Sequence, residues 1–314
     1  MDERRHPPGP GRDWEESWSF DFVSAPRSGG RSGPSDGAFG GFVRLALRPG
    51  DHRAWYWAYL ARPGRPLVVV RDHDVELPRS RELEVRGDGL WAQVICETPF
   101  DHWSAGLEAS AVAIDDPVRA WGDERGDPVA LGLDLEWEMQ GQPGLLGDAG
   151  GYLQPAAVHG EVLLGAERLA VDGTGWYTHA WGPPAWRGGR WWEVKAHLGD
   201  DTVSTSTATA ARAPGQAWTW PLAGSSPSGP EVGGADLDTQ WGPGGLPASV
   251  NLAIGEPGMA GVLPVQPRAL APVPLDVAGR RDGVLVRALC SLGSAAADGW
   301  GWAEWRQPSP PTPS

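Results

Sequence analysis

Hydrophobic and polar residues alternate along most of the chain with the two-residue period of β-strands. In the segment Trp18-Ser19-Phe20-Asp21-Phe22 the apolar residues occupy every second position, which places them on one face of a strand. The segment 55–60 similarly places three aromatic residues on one face. The 3.6-residue period of an amphipathic helix is hard to find anywhere. The pattern therefore predicts an all-β protein.

The predicted strands form two series separated by a glycine-rich stretch at 141–151. About eight or nine strands precede this stretch, a number typical of antiparallel sandwiches and barrels. They are 18–22, 42–47, 55–60, 67–77, 83–85, 90–96, 104–114 and 129–139. The second series comprises 157–164, 167–171, 175–181, 190–198, 202–210, 250–254, 261–265, 275–277, 284–290 and 299–305.

These two series predict two domains, at 13–145 and 150–306. We expect the polar, proline-rich ends at 1–12 and 307–314 to be disordered tails. The stretch 223–247 is rich in glycine, proline and serine, and it is too long for an ordinary turn. It is either a disordered insertion or a functional lid anchored by Trp241.

Charge and composition exclude several classes of protein. The 26 Lys+Arg against 40 Asp+Glu give a net charge of −14, which argues against binding to nucleic acids or to anionic membranes. No apolar run approaches the roughly 18 to 20 residues of a membrane span, and no apolar signal segment follows the N-terminus. The two cysteines, Cys96 and Cys290, form no CxxC motif. We therefore expect a soluble, reduced, cytoplasmic protein.

Tryptophan is unusually abundant, with 19 Trp against 4 Tyr and 5 Phe. Several of these residues crowd one part of the predicted second domain: Trp176, Trp181, Trp186, Trp191 and Trp192. Their crowding predicts an aromatic-lined apolar pocket there. The only lysine is Lys195, so a Schiff-base mechanism would have a single candidate.

Three segments, 90–117, 131–138 and 152–182, resemble the superfamily of the carotenoid 1,2-hydratases (hydroxyneurosporene synthases) and the AttH-type proteins. The resemblance extends over most of 13–306. It implies two lipocalin-like antiparallel β-barrel domains in tandem.

The most specific part of this resemblance is a His-x-Trp-Gly motif at His179, Trp181 and Gly182. Relatives commonly have Arg-Asp before the histidine, whereas this chain has Tyr177-Thr178. The histidine and tryptophan of the hydratases are thought to act with a tyrosine and an aspartate further along, but no tyrosine follows Tyr177. The resemblance therefore implies catalytic roles for His179 and Trp181 without implying the whole hydratase mechanism.

Tyr177, His179 and Trp181 share one face of their predicted strand. If that face is the barrel interior, they line one cavity, and Trp176 would help to shape it. Histidine can exchange a proton near neutral pH, and an indole ring can stabilise a carbocation by about 1–2 kcal/mol. Both properties suit a hydratase, a cyclase or an isomerase. The alternative is a structural histidine above a tryptophan that fills the base of a barrel.

Four further residues are candidates for ligand contact. Glu97, His102 and Trp103 lie near Pro99, which ends a strand close to a rim, and they could act as acid, base and pocket wall. Their alternative is an exposed turn. Gln154 lies near the junction of the two series and is a candidate for touching a ligand.

Other polar clusters suggest no metal and no cofactor. Asp72-His73-Asp74 contains only one histidine, and strand alternation separates it from both aspartates. Glu15-Glu16 could place a carboxylate in a cavity, although an acidic turn explains it as well. Gly-x-Ser-x-Gly, HExxH and P-loop motifs are absent from the sequence.

The leading hypothesis is a cofactor-independent enzyme of secondary metabolism that acts on an apolar small molecule of the terpenoid or polyketide type. Its reaction would be a hydration, cyclisation or isomerisation, with His179 as the proton or hydrogen-bond donor. The alternative is a non-catalytic protein that binds an apolar metabolite in its barrel. A structural interaction module is a third possibility, and it predicts no cavity near His179.

Overall fold

The structure is a computed structural model, and it is almost entirely built of β-strands, as predicted. It describes residues 3–25, 37–79, 81–121, 125–146, 150–184, 191–198, 202–209, 215–221, 231–242, 245–254, 261–277, 280–294 and 297–307. The exceptions to β-structure among the regular elements of these ranges are two short 3₁₀ turns, Pro49–Asp51 and Pro117–Trp121. In the described part of the chain, no helix has the length and apolarity to cross a membrane.

The first sheet contains eleven strands and curls back on itself. They are β1 Glu15–Ser24, β2 Phe39–Arg48, β3 Arg53–Ala61, β4 Leu67–Glu76, β5 Leu83–Gly87, β6 Leu90–Thr98, β7 His102–Ile114, β8 Asp127–Met139, β9 Gly144–Leu145, β10 Gly151–Leu164 and β11 Glu167–Gly182. Their order is β4-β3-β2-β1-β11-β10-β8-β7-β6-β5, and β9 pairs with β10. A further pairing of β4 with β7 closes the curl, and we call this sheet the first barrel.

The second sheet is a closed antiparallel barrel in which the strands follow one another in chain order. We call it the second barrel. Its strands are β12 Trp191–Leu198, β13 Thr202–Thr209, β14 Gly215–Pro221, β15 Glu231–Trp241, β16 Pro247–Ile254, β17 Gly261–Val277, β18 Arg280–Ser294 and β19 Ala297–Gln307. The predicted two-barrel, lipocalin-like architecture is confirmed.

Sheet membership places the division between the barrels later than the predicted boundary. Strands β10 and β11 belong to the first barrel, where β11 pairs with β1 and β10 pairs with β8. The glycine-rich stretch 141–151 is therefore a connection within the first sheet, and the change of sheet falls between Gly182 and Trp191. The composition of 141–151 indicated a loop, but composition does not predict which strands pair on either side of that loop. Independent folding of the two predicted domains stays a prediction.

Part of the predicted loop 223–247 is also a strand. Glu231–Trp241 forms β15 and pairs with β14 and β16. Trp241 is partly exposed on this strand, and its ring lies 5.9 Å from that of Trp305. Residues 223–230, and the predicted tail at 308–314, lie outside the described residues.

Alternation along the strands of the first barrel divides its side chains between an interior and an outer face. Trp18, Phe20 and Phe22 point into the interior together with Trp103 and Trp137. The alternate residues of β1 to β4, between those that point inward, face the second barrel. They form a separate apolar layer with side chains of β17, β18 and β19. Strand β3 is buried on both faces because both of its parities carry aromatic or aliphatic residues.

Polar contacts join the two barrels through this layer. Nε1 of Trp302 donates a hydrogen bond to the carbonyl oxygen of Phe22, at 3.1 Å. The Asp21 carboxylate lies 3.4 Å from both Nζ of Lys195 and a guanidinium nitrogen of Arg287. Burial opposes the charge on Lys195, but Glu193 and Asp21 outweigh this effect and raise the pKa of the lysine above its ordinary value. The only lysine of the chain is thus a charged ammonium group at the interface between the barrels.

Candidate active site

Strand β11 presents Tyr177, His179 and Trp181 together on the interior face of the first barrel. Tyr177 and His179 are fully buried, and the ring centroids of His179 and Trp181 are 5.0 Å apart. The intervening residues face outward, where Oγ1 of Thr178 accepts a hydrogen bond from Lys195. The motif therefore lies in the first barrel, and not in the second domain where the sequence placed it.

His179 is held by its neighbour strand β1. The register of the two antiparallel strands places Trp18 opposite His179 and Glu16 opposite Trp181. The Trp18 and His179 rings stack with centroids 4.8 Å apart. Nε2 of His179 lies 3.0 Å from Oε1 of Glu16, and both side chains are buried. A carboxylate therefore faces one nitrogen of the imidazole ring.

The other nitrogen of His179 faces a tyrosine from strand β10. Nδ1 of His179 lies 3.3 Å from Oη of Tyr152, and Tyr152 donates its own proton to Oε2 of Glu3. Tyr177 donates to the same oxygen at 2.7 Å. Burial, and after it the charge of Glu3, raises the pKa of Tyr152, and burial also raises that of Tyr177. Both phenols therefore stay protonated and act as donors.

The N-terminal segment, residues 3–14, covers this part of the barrel interior. Glu3 is only 9% exposed, and its Oε1 accepts a hydrogen bond from the backbone N–H of Phe100 at 3.1 Å. His6 stacks on Trp181 with ring centroids 3.9 Å apart, and its Nδ1 lies 2.8 Å from Oε1 of Glu16. This part of the chain was expected to belong to a disordered tail at 1–12, but it completes the site.

Hydrogen-bond accounting limits where the protons of this network can lie. The single phenolic proton of Tyr152 goes to Glu3, so the Tyr152 oxygen can only accept from Nδ1–H of His179. The second ring nitrogen, Nε2, then requires a proton between itself and the Glu16 carboxylate. The arrangement is satisfied by one proton shared between Nε2 of His179 and the Glu16 carboxylate. A proton held there, one hydrogen bond away from a protonated phenol, is chemically a proton source.

One cluster of metal-ligating residue types occurs within the described ranges, formed by His6, Glu16 and His179. Two imidazole nitrogens and one carboxylate oxygen are donors that zinc accepts. Glu16 lies 2.8 Å from Nδ1 of His6 and 3.0 Å from Nε2 of His179, which are the distances of direct hydrogen bonds. The other group considered as a metal site, Asp72-His73-Asp74, binds different partners. His73 accepts a hydrogen bond from Trp57, and Asp74 forms an ion pair with Arg53.

The remaining predicted site residues are distributed over both faces of the first barrel. Trp103 is buried in the interior, 5.0 Å from the ring of Tyr177. Gln154 is also buried, and its amide donates to the carbonyl oxygens of Gly141 and Phe100. Trp176 lies on the outer face, 5.4 Å from the ring of His197 in the second barrel.

Glu97 and His102 do not reach the network around His179. Glu97 is exposed and accepts a hydrogen bond from Ser104. Nε2 of His102 lies 3.6 Å from a carboxylate oxygen of Glu136. The structure separates Glu97 and His102 from Trp103, with which they were predicted to group. His102 and Trp103 are consecutive on β7, and consecutive residues of a strand point to opposite faces.

Four residues of the network were not among the predicted site residues: Glu3, His6, Glu16 and Tyr152. The sequence offered Glu15-Glu16 as a possible cavity carboxylate, and the structure supports this alternative at Glu16, which is buried next to His179. The acidic turn was wrong, because both residues belong to β1. Tyr152 lies in the segment of best resemblance but outside the motif. Glu3 and His6 lie in a segment without any periodic pattern. The acidic groups near His179 thus come from the N-terminal part of the chain.

Two open cavities of the described structure lie away from His179. A cleft of about 510 Å³ is lined by residues of both barrels, among them Leu67, Pro117 and Arg268. A smaller cavity of about 150 Å³ is lined by Asp72 and Ser110 among others. Neither includes a residue of the His179 network. The interior around His179 is occupied by the side chains of the N-terminal segment.

Several solved structures share the overall fold. An AttH protein from Nitrosomonas europaea has a TM-score of 0.59 at 13% identity, covering 93% of this chain and 92% of its own. CghA has a TM-score of 0.56 at 11% identity, covering 98% and 95%. Kievitone hydratase from Nectria haematococca has a TM-score of 0.57 at 12% identity, covering 93% and 88%. The fold that the resemblance implied is confirmed.

A search of curated proteins finds no match. A family model described as "Domain of unknown function (DUF7064)" matches residues 1–309. Because this match spans nearly the whole chain, the protein belongs to the DUF7064 family.

Proposed function

We propose that the interior of the first barrel around His179 is an acid–base site. It acts without a cofactor on an apolar small molecule of the terpenoid or polyketide type, by hydration, cyclisation or isomerisation. The observation that carries this proposal is the buried chain Glu16–His179–Tyr152, with contacts of 3.0 and 3.3 Å. Such a series of hydrogen-bonded side chains can hold a proton next to an apolar, aromatic wall.

Each member of the chain has a separate chemical role. When the substrate oxygen replaces the Glu3 carboxylate, Tyr152 and Tyr177 donate to it the hydrogen bonds that they make to Glu3 and polarise the carbon skeleton attached to it. His179, as the imidazolium, supplies the proton that the skeleton accepts as its electrons shift, and Tyr152 relays it. Glu16 stabilises the charged ring before transfer. The neutral imidazole then regains a proton from the water that adds, or from another carbon of the substrate.

Aromatic rings surround Glu16, His179 and Tyr152, and they stabilise positive charge that develops on the reacting molecule. Trp18 stacks on His179, and Trp181 and Trp103 are close to the same interior surface. An indole face contributes about 1–2 kcal/mol of cation–π attraction where water is excluded. The fold neighbour kievitone hydratase is a hydratase by name, and this supports the proposed class of reaction.

The proposal is tested by incubating the full-length protein with a panel of terpenoid and polyketide substrates that carry an oxygen function. Products are detected by liquid chromatography and mass spectrometry, as the gain of one water or as an isomer with altered retention. We expect turnover by the wild type and a loss of about 100-fold or more in His179→Gln and Tyr152→Phe.

The matched control is His159→Gln. His159 lies on strand β10 with a half-exposed side chain paired to Asp172, so this variant should retain wild-type turnover. Circular dichroism checks that all variants fold. Full activity of His179→Gln would remove the acid–base role.

A non-catalytic binding protein is the second candidate, and the full burial of His179 favours it. It predicts that the wild type and His179→Gln retain the same compound, unchanged in mass, with similar affinity. The same incubation therefore separates the two functions.

A further inference from the structure

The carboxylate of Glu3 is held in a complete set of hydrogen-bond donors inside the first barrel. Oη of Tyr152 and Oη of Tyr177 both donate to Oε2. The backbone N–H of Phe100 donates to Oε1, at 3.1 Å. Three donors from three different parts of the chain thus converge on one carboxylate group.

These donors belong to the rigid part of the molecule, whereas Glu3 does not. Tyr152 and Tyr177 lie on the paired strands β10 and β11 and are fully buried. The described residues of the N-terminal segment form no strand before Glu15, and most of those from Pro7 to Asp13 are exposed. Apart from the contacts of Glu3 and His6, this segment has neither strand pairing nor extensive burial, so it opens at lower cost than a paired strand. The donors would therefore remain in place if Glu3 left.

The walls around these donors are apolar, with a few unsatisfied polar atoms. The rings of Phe100 and Trp103 pack against Tyr152 and Tyr177. Nε1 of Trp103, Nε1 of Trp18 and Oε1 of Gln154 are buried and have no hydrogen-bond partner in the described part of the protein. Unsatisfied buried polar atoms are uncommon in native interiors. Trp103 and Gln154 belong to residues in contact with Tyr177 and Phe100, so their unpaired atoms lie close to the three donors.

We propose that Tyr152, Tyr177 and the Phe100 N–H form a binding site for the carboxylate of a small apolar acid. Glu3 occupies this site in the ligand-free protein, and the ligand displaces it together with the N-terminal segment. This inference rests on the site of the proposed function and names its ligand class. It does not depend on any chemistry at His179.

The first test restores a carboxylate that has been removed. Glu3→Ala deletes a group with the size and charge of acetate, so added acetate should fill the vacated site. We expect 100 mM sodium acetate to raise the melting temperature of Glu3→Ala by about 2 °C or more relative to sodium chloride, with saturation. Acetamide, which is neutral, should have no such effect, and the wild type should not respond.

Two control variants make this test specific. Glu97→Ala removes an exposed glutamate with a single hydrogen bond to Ser104, and acetate should not stabilise it. Adding Tyr152→Phe and Tyr177→Phe to Glu3→Ala should abolish the rescue. Absence of acetate rescue in Glu3→Ala, or equal rescue in Glu97→Ala, would overturn the proposal.

A second test uses the unmodified full-length protein and does not require Glu3→Ala to fold. Arg4 and Arg5 are trypsin sites next to Glu3, and intact mass reports cleavage there. We expect 2-naphthoate to accelerate this cleavage at least threefold, and neutral 2-naphthamide to leave it unchanged. Equal rates with and without 2-naphthoate would contradict displacement of Glu3.

The two proposals fail separately. Acetate rescue should persist when His179→Gln is combined with Glu3→Ala, because it measures binding only. Loss of turnover in His179→Gln without acetate rescue would support the acid–base site and reject the carboxylate site.

Discussion

His179 and Glu16 meet inside the first barrel, with Nε2 of the histidine 3.0 Å from Oε1 of the glutamate. They are diagonal neighbours on β11 and β1, since Trp18 lies opposite His179 and Glu16 lies opposite Trp181. Because Tyr152 donates its proton to Glu3, Nδ1 of His179 donates to Tyr152, and one further proton lies between Nε2 and Glu16. We expect the charge state of His179 to depend on Glu16.

Replacing Glu16 by glutamine should test this dependence directly. Glu16→Gln removes the negative charge that stabilises a buried imidazolium, so we expect a loss of about 3 kcal/mol in the free energy of unfolding. Nitrogen-15 NMR of the histidine rings should show two protonated nitrogens for His179 in the wild type at neutral pH and one in the variant. Glu138→Gln, at an exposed position of β8, should stay within about 0.5 kcal/mol. A wild-type His179 with one protonated nitrogen would contradict the assignment.

The interface between the barrels depends on the buried Asp21 carboxylate. Asp21→Asn would leave Lys195 and Arg287 facing a neutral group at 3.4 Å. Removing one member of a buried ion cluster costs about 3–5 kcal/mol, and we expect urea denaturation to show a loss of this size. Asp134→Asn, exposed on β8, is the control. A change as small as that of Asp134→Asn would mean that the cluster does not stabilise the interface.

His197 should make the protein sensitive to acid. It is buried between the barrels, where its Nε2 lies 3.2 Å from the carbonyl oxygen of Gly175, and burial lowers its pKa to about 4. The unfolded chain, with an ordinary histidine, binds this proton at higher pH than the folded chain does. The contribution of His197 to the free energy of unfolding is therefore fully present above pH ~6.5, and it declines by about 3 kcal/mol as the pH falls from ~6.5 to 4.

His197→Gln keeps a side-chain donor for Gly175 without a titrating ring. Chemical denaturation at several pH values should show a smaller decline between pH ~6.5 and 4 in this variant than in the wild type. His159→Gln, which changes a half-exposed histidine, should preserve the wild-type decline. Parallel curves for His197→Gln and the wild type would exclude His197 as the source.

Gly175 should not tolerate a side chain. A Cβ atom there would lie 2.0 Å from the carbonyl oxygen of Asp21 and 2.7 Å from Cγ2 of Val158, so β1 and β11 would have to separate. We expect Gly175→Ala to lower the free energy of unfolding by about 3 kcal/mol and to disturb the Glu16–His179 pair. Gly233→Ala is the matched control, because no atom lies within 4 Å of its added Cβ. A thermal melt equal to that of Gly233→Ala would contradict this packing.

Much of the β-architecture could be predicted from alternation alone. The two-residue period predicts which side chains share a face, and Tyr177, His179 and Trp181 do lie together. The period does not predict which strands pair. The boundary at 141–151 therefore differs from the observed change of sheet, since β10 and β11 pair back to strands of the first barrel.

The sequence by itself determined the β-character of the chain and the grouping of His179 with Tyr177 and Trp181, because these follow from local periodicity and from a short motif. The two barrels were implied by the family resemblance, since the strand pattern alone also fits two sandwiches. Only the tertiary structure decided that Glu3, His6 and Glu16 join them. Glu16 lies across a pairing of β1 with β11 that connects distant parts of the chain. Glu3 and His6 carry no periodic signal, and contacts with buried side chains on other strands, rather than any local preference, fix their positions.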